Sequence, residues 1–196
     1  MSKVIIAGDA SGTGTFTISA PNGNTDRTLV LPDEAGTVLT SASNLVGVTG
    51  VGKVLQVVST TVALGATNTT STSYVNSGLS LGITLSSASN RVLVLVNGGH
   101  AYVASGYSDG LIETICRQSS TTYSSGNDLA YAAYGLTQIY NSTNLNTAPH
   151  SMNVLDTAPG STTPTYRVFF RSRAGGNVYF AEGSSYMTMT LMEIAA

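Results

Sequence analysis

Carboxylates that could act as an acid and base pair on a sugar are scattered along this chain. Such chemistry needs two carboxyl groups held at a fixed separation across the scissile bond. Among the 10 acidic residues, only Asp33 and Glu34 are adjacent, and they lie in a predicted turn, where neighbouring side chains rarely face one substrate. The pattern favours a protein that is not an enzyme, with a small glycan-degrading enzyme as the alternative from another class.

Two histidines and a single cysteine are the other groups that could bind a metal. His100, His150, Cys116 and Asp109 follow no spacing typical of a zinc site. A strand histidine with its ring packed is the expected role, and metal binding by His100 or His150 stays open. Cys116 lies in an apolar stretch and is expected to be buried. We predict no metal, cofactor or catalytic residue, although the many serines leave a serine nucleophile open.

One stretch imitates a phosphate-binding loop. Residues 47–53 match its first seven positions, but the eighth position is Val54, where Ser or Thr would hold magnesium. A strand, rather than the required helix, is predicted to begin at Lys53. Nucleotide binding is therefore not predicted.

Low charge excludes several classes of partner. Charged residues make up 9% of the chain and the net charge is −2, against about 25% charged residues in ordinary soluble domains. No basic face is available to neutralise nucleic-acid phosphates. No apolar run approaches the length of a membrane span, and the apolar start is too short for a secretory signal. We expect synthesis in a cytoplasm, without nucleic-acid binding or membrane insertion.

Short strands recur about every ten residues from Lys53 onward, separated by Gly, Asn, Ser and Pro. This spacing predicts an all-β head, an antiparallel and jelly-roll-like sandwich over 53–196. The strongest strand, 91–97, is apolar on both faces and should be central, so Asp at Leu93 or Val94 should abolish soluble expression. Glycines at 174–176 predict a hairpin between the flanking strands. Residues 129–140 are compatible with a strand or a helix, and three tyrosines with Gly135 favour the strand.

The amino-terminal part contains three strands too short to be stable alone. Alternation of apolar and polar residues from Thr15 to Ser19, then 28–31 and 37–40, marks these strands, with turns between them. Isolated hairpins are marginal in water, so this segment should need a partner for its order. Small polar residues at 41–52 form a predicted linker, which gives an arm of 1–52.

Two phrases resemble a known family. The string TFTISAP…RTLVLPDEAGTV, within 15–38, resembles a repeat near the amino end of bacteriophage tail fibres. The carboxy-terminal string LDTAP…TYRVFF…LMEI, within 155–194, is similar to the terminal globular domain of many phage fibre and virion proteins. The resemblance implies a homotrimeric, non-enzymatic structural protein of the virion, made in the bacterial host cytoplasm.

Within that family the chain most resembles a short tail fibre, with a capsid decoration or head-fibre protein as the alternative. Its partners would be other virion proteins and a glycan or protein on the host surface. The arm would attach through the apolar residues Val4, Ile5, Ile6, Phe16, Ile18, Leu29 and Leu31. Tyrosine suits stacking on sugars, and loops commonly carry binding residues. The head would contact the receptor through the loop residues Tyr107, Asp109, Tyr123, Asn127 and Asp128. For the tyrosines as a group, packing in the core or at a subunit seam is the favoured role, and receptor contact is the alternative.

Overall fold

The computed structural model describes residues 11–14, 17, 22–23, 26, 28, 54–104, 106, 108–130, 133–141, 146–183 and 185–196. The chain divides into two compact units, 1–44 and 45–196, and every strand given below belongs to the second. The predicted arm-to-head boundary at 52/53 lies outside the described residues. So do the seven predicted attachment residues of the arm, listed above.

Ten strands and one short 3-10 turn, Ser125–Asn127, form the described part of this unit. The strands are β1 (Val54–Leu64), β2 (Thr67–Thr69), β3 (Val75–Gly82), β4 (Arg91–Val103), β5 (Asp109–Arg117), β6 (Thr137–Asn141), β7 (Asn146–Asp156), β8 (Thr165–Ser172), β9 (Val178–Ala181) and β10 (Ser185–Ile194).

Eight of these strands form two antiparallel sheets. The first sheet has the order β1-β10-β4-β7, and the second has the order β3-β8-β5-β6. The short strands β9 and β2 extend the first sheet beyond the end of β10. This strand order is that of a jelly roll, in which eight strands form two Greek keys around one core. The prediction of an all-β antiparallel sandwich is confirmed.

Period-two alternation in the sequence decides which side chains enter the core. In β10, Met187, Met189 and Leu191 are fully buried, while the threonines between them lie on the outer face. Methionine fills irregular space and is a good residue for a core between two sheets. The inner faces of both sheets supply the core, which includes Tyr166, Phe170 and other apolar side chains.

The central position of β4 is confirmed, because this strand pairs with β10 on one edge and β7 on the other. The two residues predicted to be critical point in opposite directions. Val94 is fully buried in the core, whereas Leu93 lies on the outer face and is half-buried. The prediction that Asp at Leu93 abolishes soluble expression is therefore corrected, because a carboxylate there can reach solvent. Gly98 and Gly99 bend the strand with φ values of 96° and 69°, which a side chain rarely adopts.

The predicted hairpin at 174–176 is wrong. Strand β8 belongs to the second sheet and β9 to the first, so the glycines carry the chain across the sandwich. Strand β9 instead pairs with Tyr102 and Val103 of β4, beyond Gly98, where the pairing of β10 with β4 ends. Glycine-rich spacing permits a reversal, but which strand edge is free to receive β9 depends on the whole sheet.

The strand prediction for 129–140 is correct only at its end. Strand β6 begins at Thr137, and the described residues between 129 and 136 form turns or single bridges rather than a helix. Gly135 has a φ of 63°, and a Cβ there would lie 2.1 Å from the carbonyl oxygen of Glu113. A side chain at this position would clash with the backbone of β5, which explains why the residue is a glycine. No periodicity in the sequence indicates this close approach.

Candidate functional site

The loop between β5 and β6 folds over the outer face of the second sheet. Phe169 and Cys116 are fully buried there, outside the main core cluster. Tyr123 of the loop packs edge-on against Phe169, with ring centroids 5.7 Å apart. Burial raises the pKa of the Cys116 thiol to about 12, so the expectation that Cys116 is a buried small hydrophobe is confirmed.

Asp128 ties this loop to the sheet. Its carboxylate accepts hydrogen bonds from the hydroxyl of Thr114, from the hydroxyl of Tyr123 at 2.7 Å and from the amide of Ala130 at 3.0 Å. Burial and the Asp128 carboxylate raise the pKa of Tyr123, so its hydroxyl remains a donor. Asp128 and Tyr123, both predicted receptor contacts, are thus brought together, and the contact role stays a prediction.

A groove of about 450 Å³ opens beside this loop. Tyr123 and Tyr74 pack with ring centroids 4.5 Å apart, and the guanidinium carbon of Arg171 lies 5.2 Å from the centroid of Tyr74. The groove is lined by Thr72, Ser73, Tyr74, Tyr123, Ser125, Ala133 and Arg171. Among the described residues of this lining, Arg171 has the only charged side chain. Aromatic faces, hydroxyl groups and one cation therefore meet at a surface that is open to solvent.

Backbone carbonyls hold the Arg171 guanidinium in place. Its Nη2 donates to the carbonyl of Ala133 at 2.7 Å, and its Nη1 donates to the carbonyls of Thr72 and Ser172 at 3.4 and 3.3 Å. Among the described residues, the ion pairs found do not include Arg171. A cation fixed over an aromatic ring, with no carboxylate partner of its own, is suited to bind an anionic group.

The other predicted receptor contacts are Asn127, Tyr107 and Asp109, and none of them is among the described residues that line the groove. Asn127, in the 3-10 turn, donates to the side-chain oxygen of Gln118 at 3.3 Å and is only half-buried. Tyr107 lies outside the described residues. Tyr74 and Arg171 were not predicted, and no spacing could have indicated them, because they are 97 positions apart and meet only through the sheet and its loop.

Asp109 is a structural residue, which corrects its assignment to receptor contact. Its side chain is 1% exposed. It accepts bonds from the Gly110 amide at 2.6 Å, the Ser172 hydroxyl at 2.6 Å, the Ala174 amide at 2.7 Å and the Gly176 amide. Burial alone would raise the pKa of Asp109, but these bonds outweigh it and lower the pKa. The carboxylate therefore fixes the crossover between the two sheets and cannot face a receptor.

Replacing Asp109 with Asn should destabilise the head by about 3 kcal/mol at neutral pH, because hydrogen bonds to a charged group are worth about 1.5–3 kcal/mol each. Glu182→Gln, at an exposed carboxylate, is the control and should change stability by no more than about 0.5 kcal/mol. Urea unfolding at several pH values measures both. Since the folded pKa is lowered, the difference between Asp109→Asn and the parent should shrink as pH falls through that value. Equal stability of the three proteins would contradict the role.

The sequence 106–110 has the G-x-S-x-G spacing of a serine nucleophile. That motif joins a strand to a helix, whereas these residues lead into strand β5. The hydroxyl of Ser108 is 3.0 Å from the hydroxyl of Tyr140. No histidine is among the described hydrogen-bond partners of Ser108, so nothing in the described region activates it.

The two histidines occupy different environments. His100 is exposed and its Nδ1 is 3.7 Å from the Glu182 carboxylate. His150 is fully buried between the sheets, with Nδ1 2.7 Å from the Glu113 carboxylate and Nε2 2.7 Å from the carbonyl oxygen of Phe180. Within the described region no group of three or more His, Cys, Asp or Glu side chains could hold a metal ion.

No protein-family model matches the chain, and no curated protein matches it. In the described part of the chain, no helix is long and apolar enough to span a membrane.

Proposed function

We propose that this protein is a structural component of a bacteriophage virion, a short tail fibre that is not an enzyme. Its arm attaches to the particle, and its sandwich contacts the host surface. The observation that carries the proposal is the open groove of Tyr74, Tyr123 and Arg171 on a jelly-roll sandwich. Capsid proteins and lectins share this topology, an analogy of fold that does not specify function by itself. The fibre-like phrase at 28–38 supports the same assignment.

A homotrimer is part of this proposal, with the outer face of the first sheet as the seam between copies. Val57, Met192, Leu93 and Leu155 face one another in register across its four strands. Val57 is 54% and Leu155 42% exposed, which leaves a continuous apolar row on the surface.

Two pairs of hydroxyl groups lie next to this apolar row on the same face of the sheet. Ser59 lies 2.9 Å from Thr190 and Thr61 lies 2.9 Å from Thr188, oxygen to oxygen. No Asp, Glu, Lys or Arg lies on the outer face of the described strands from this row to those pairs. A second copy of the chain is the occupant that fits, because this uncharged stretch of the face meets its own copy without repulsion.

Immunogold electron microscopy of the phage particles that carry this chain should place the label on the tail. A truncated chain that begins at Lys53 should fold, with the far-ultraviolet circular dichroism of an all-β protein. It should be missing from particles. Label on the capsid shell would establish the decoration or head-fibre role instead. Particles without label, or shortening of host polysaccharide by the purified protein, would overturn the structural assignment.

A further inference from the structure

We propose that the groove beside the β5–β6 loop binds an acidic sugar, with a hexuronic acid unit of a surface glycan as its ligand. The proposal rests on the function proposed above and specifies the chemistry of the host contact. Its basis is the combination of one fixed guanidinium, two tyrosine rings and several hydroxyl groups in a single open groove.

Size and shape agree with a ligand of this kind. The groove encloses about 450 Å³, at the lower end of the range of about 300–1,000 Å³ for small-molecule sites. Tyr74 and Tyr123 are only half-buried, so their rings reach the groove surface. The C–H face of a pyranose ring packs against aromatic rings, while Thr72, Ser73 and Ser125 offer hydroxyl groups at the exposed rim.

Charge selects an acidic sugar over a neutral one. The guanidinium of Arg171 is held by carbonyl groups, which give it a fixed orientation. The nearby Asp128 does not line the groove, and its oxygens accept bonds from Thr114, Tyr123 and Ala130. The carboxylate at C6 of a uronic acid can accept a charge-assisted hydrogen bond from the guanidinium, as carboxylates generally do from arginine.

The alternatives on the surface are weaker. The stacked pair Tyr102 and Tyr179, 4.1 Å between centroids, lies on a sheet face beside His100 and Glu182, which together offer no fixed cation. A second groove of about 230 Å³ includes Arg117, but that guanidinium already pairs with Asp156 at 2.7 Å. Arg171 is distinguished from Arg117 by having no carboxylate partner in the described region.

Titration calorimetry and saturation-transfer NMR with the full chain can test this site. The probes are oligosaccharides of galacturonic acid, and the matched controls are oligosaccharides of galactose, which differ only by the C6 carboxylate. The acidic series should bind at least about tenfold more tightly, because a charge-assisted hydrogen bond is worth about twice a neutral one. Equal binding of the two series, or no binding of either, would overturn the proposal.

Variants locate the binding. Arg171→Gln should weaken binding of the acidic oligosaccharide about tenfold or more, and Arg171→Lys, which keeps the charge without the planar fork, should weaken it less. Arg173→Gln is the matched control, because Arg173 also lies over a tyrosine, 5.4 Å from the centroid of Tyr140, yet outside the groove. Loss of binding in Arg173→Gln, or unchanged binding in Arg171→Gln, would place the site elsewhere.

Two further measurements check the variants, and two outcomes then distinguish failure of the groove proposal from failure of the virion role. Thermal melting should show that the Arg171 variants stay folded. Tyr74→Ala, which removes a groove wall and the ring beside the guanidinium but keeps Arg171 itself, should also weaken binding. If particles carry the label but uronic acids do not bind, the inference fails and the proposed function stands. If uronic acids bind with the predicted variant pattern but particles lack the chain, the groove is confirmed and the virion role fails.

Discussion

Replacing Val94 with Asp is expected to abolish soluble, folded protein. Val94 is fully buried in β4, the strand that pairs with both β10 and β7. A carboxylate there would face the apolar core without a partner, and an uncompensated buried charge costs several kcal/mol. A domain of this size has a total stability of about 5–15 kcal/mol. Soluble yield, circular dichroism and thermal unfolding measure the effect.

Leu93→Asp is the matched control, because Leu93 is the preceding residue of the same strand and lies on the outer face. This variant should keep the circular dichroism of the parent. If the outer face is the seam of a homotrimer, light scattering should give about 60 kDa for the parent, three chains of 20.1 kDa, and a smaller mass for Leu93→Asp. A monomeric parent protein would contradict the proposed homotrimer. A Val94→Asp protein that melts at the same temperature as the parent would contradict the central position of β4.

Removing one member of the buried Glu113–His150 pair should be almost as damaging. The side chains are 1% and 0% exposed, and the pair joins β5 of the second sheet to β7 of the first. Neither carboxylate oxygen has a further hydrogen-bond partner among the described residues. Either Glu113→Leu or His150→Phe leaves an unpaired ionisable group in the core, which typically costs about 3–5 kcal/mol. Urea unfolding of each single variant measures this loss.

The double variant, Glu113→Leu with His150→Phe, is the decisive comparison. Replacing a buried ion pair by apolar side chains of similar volume is often neutral or stabilising, so the double variant should be more stable than either single variant. Additive losses in the double variant would show that packing, rather than charge, sets the cost.

The same pair should make stability fall as pH rises above about 6.5. Burial alone lowers the pKa of His150, but the Glu113 carboxylate and the Phe180 carbonyl outweigh it and raise the pKa. A raised folded pKa contributes stability that is complete below the unfolded value of about 6.5 and is lost as pH rises through the folded value. His150→Phe should therefore remove this dependence. An identical pH profile in parent and variant would contradict it.

At acid pH, stability should be lost through protonation of two other carboxylates, those of Glu193 and Asp109. Burial would raise the pKa of Glu193, but bonds from Asn90, Gln56 and Ser86 lower it, as the bonds at the β8–β9 crossover lower that of Asp109. Such groups contribute stability above their ordinary pKa of about 4 and lose it as pH falls through the lowered folded values. Stability should therefore be greatest between these acidic values and about pH 6.5.

Local pattern was sufficient for the strands themselves. Alternation in β10 and the apolar run of β4 depend on which face of a strand each residue occupies, and that follows from the two-residue period of an extended chain. The burial of Cys116 could be predicted for the same reason, since its apolar neighbours in β5 indicate a covered strand.

Pairing and sites depended on the tertiary structure. Whether Gly175 and its neighbours close a hairpin or cross between sheets is decided by which strand edge is free. Asp109 acquired its role because that crossover places the amides of Ala174 and Gly176 against its carboxylate.

The amino-acid sequence alone determined that this chain is all-β, that β4 is central and that a buried apolar face runs along most strands. The tertiary structure alone decided that Tyr74, Tyr123 and Arg171 share a groove and that Glu113 meets His150. The physical reason is range: side-chain direction along a strand is set by its own backbone, whereas contacts between residues 37 or 97 positions apart exist only after two sheets have closed on each other.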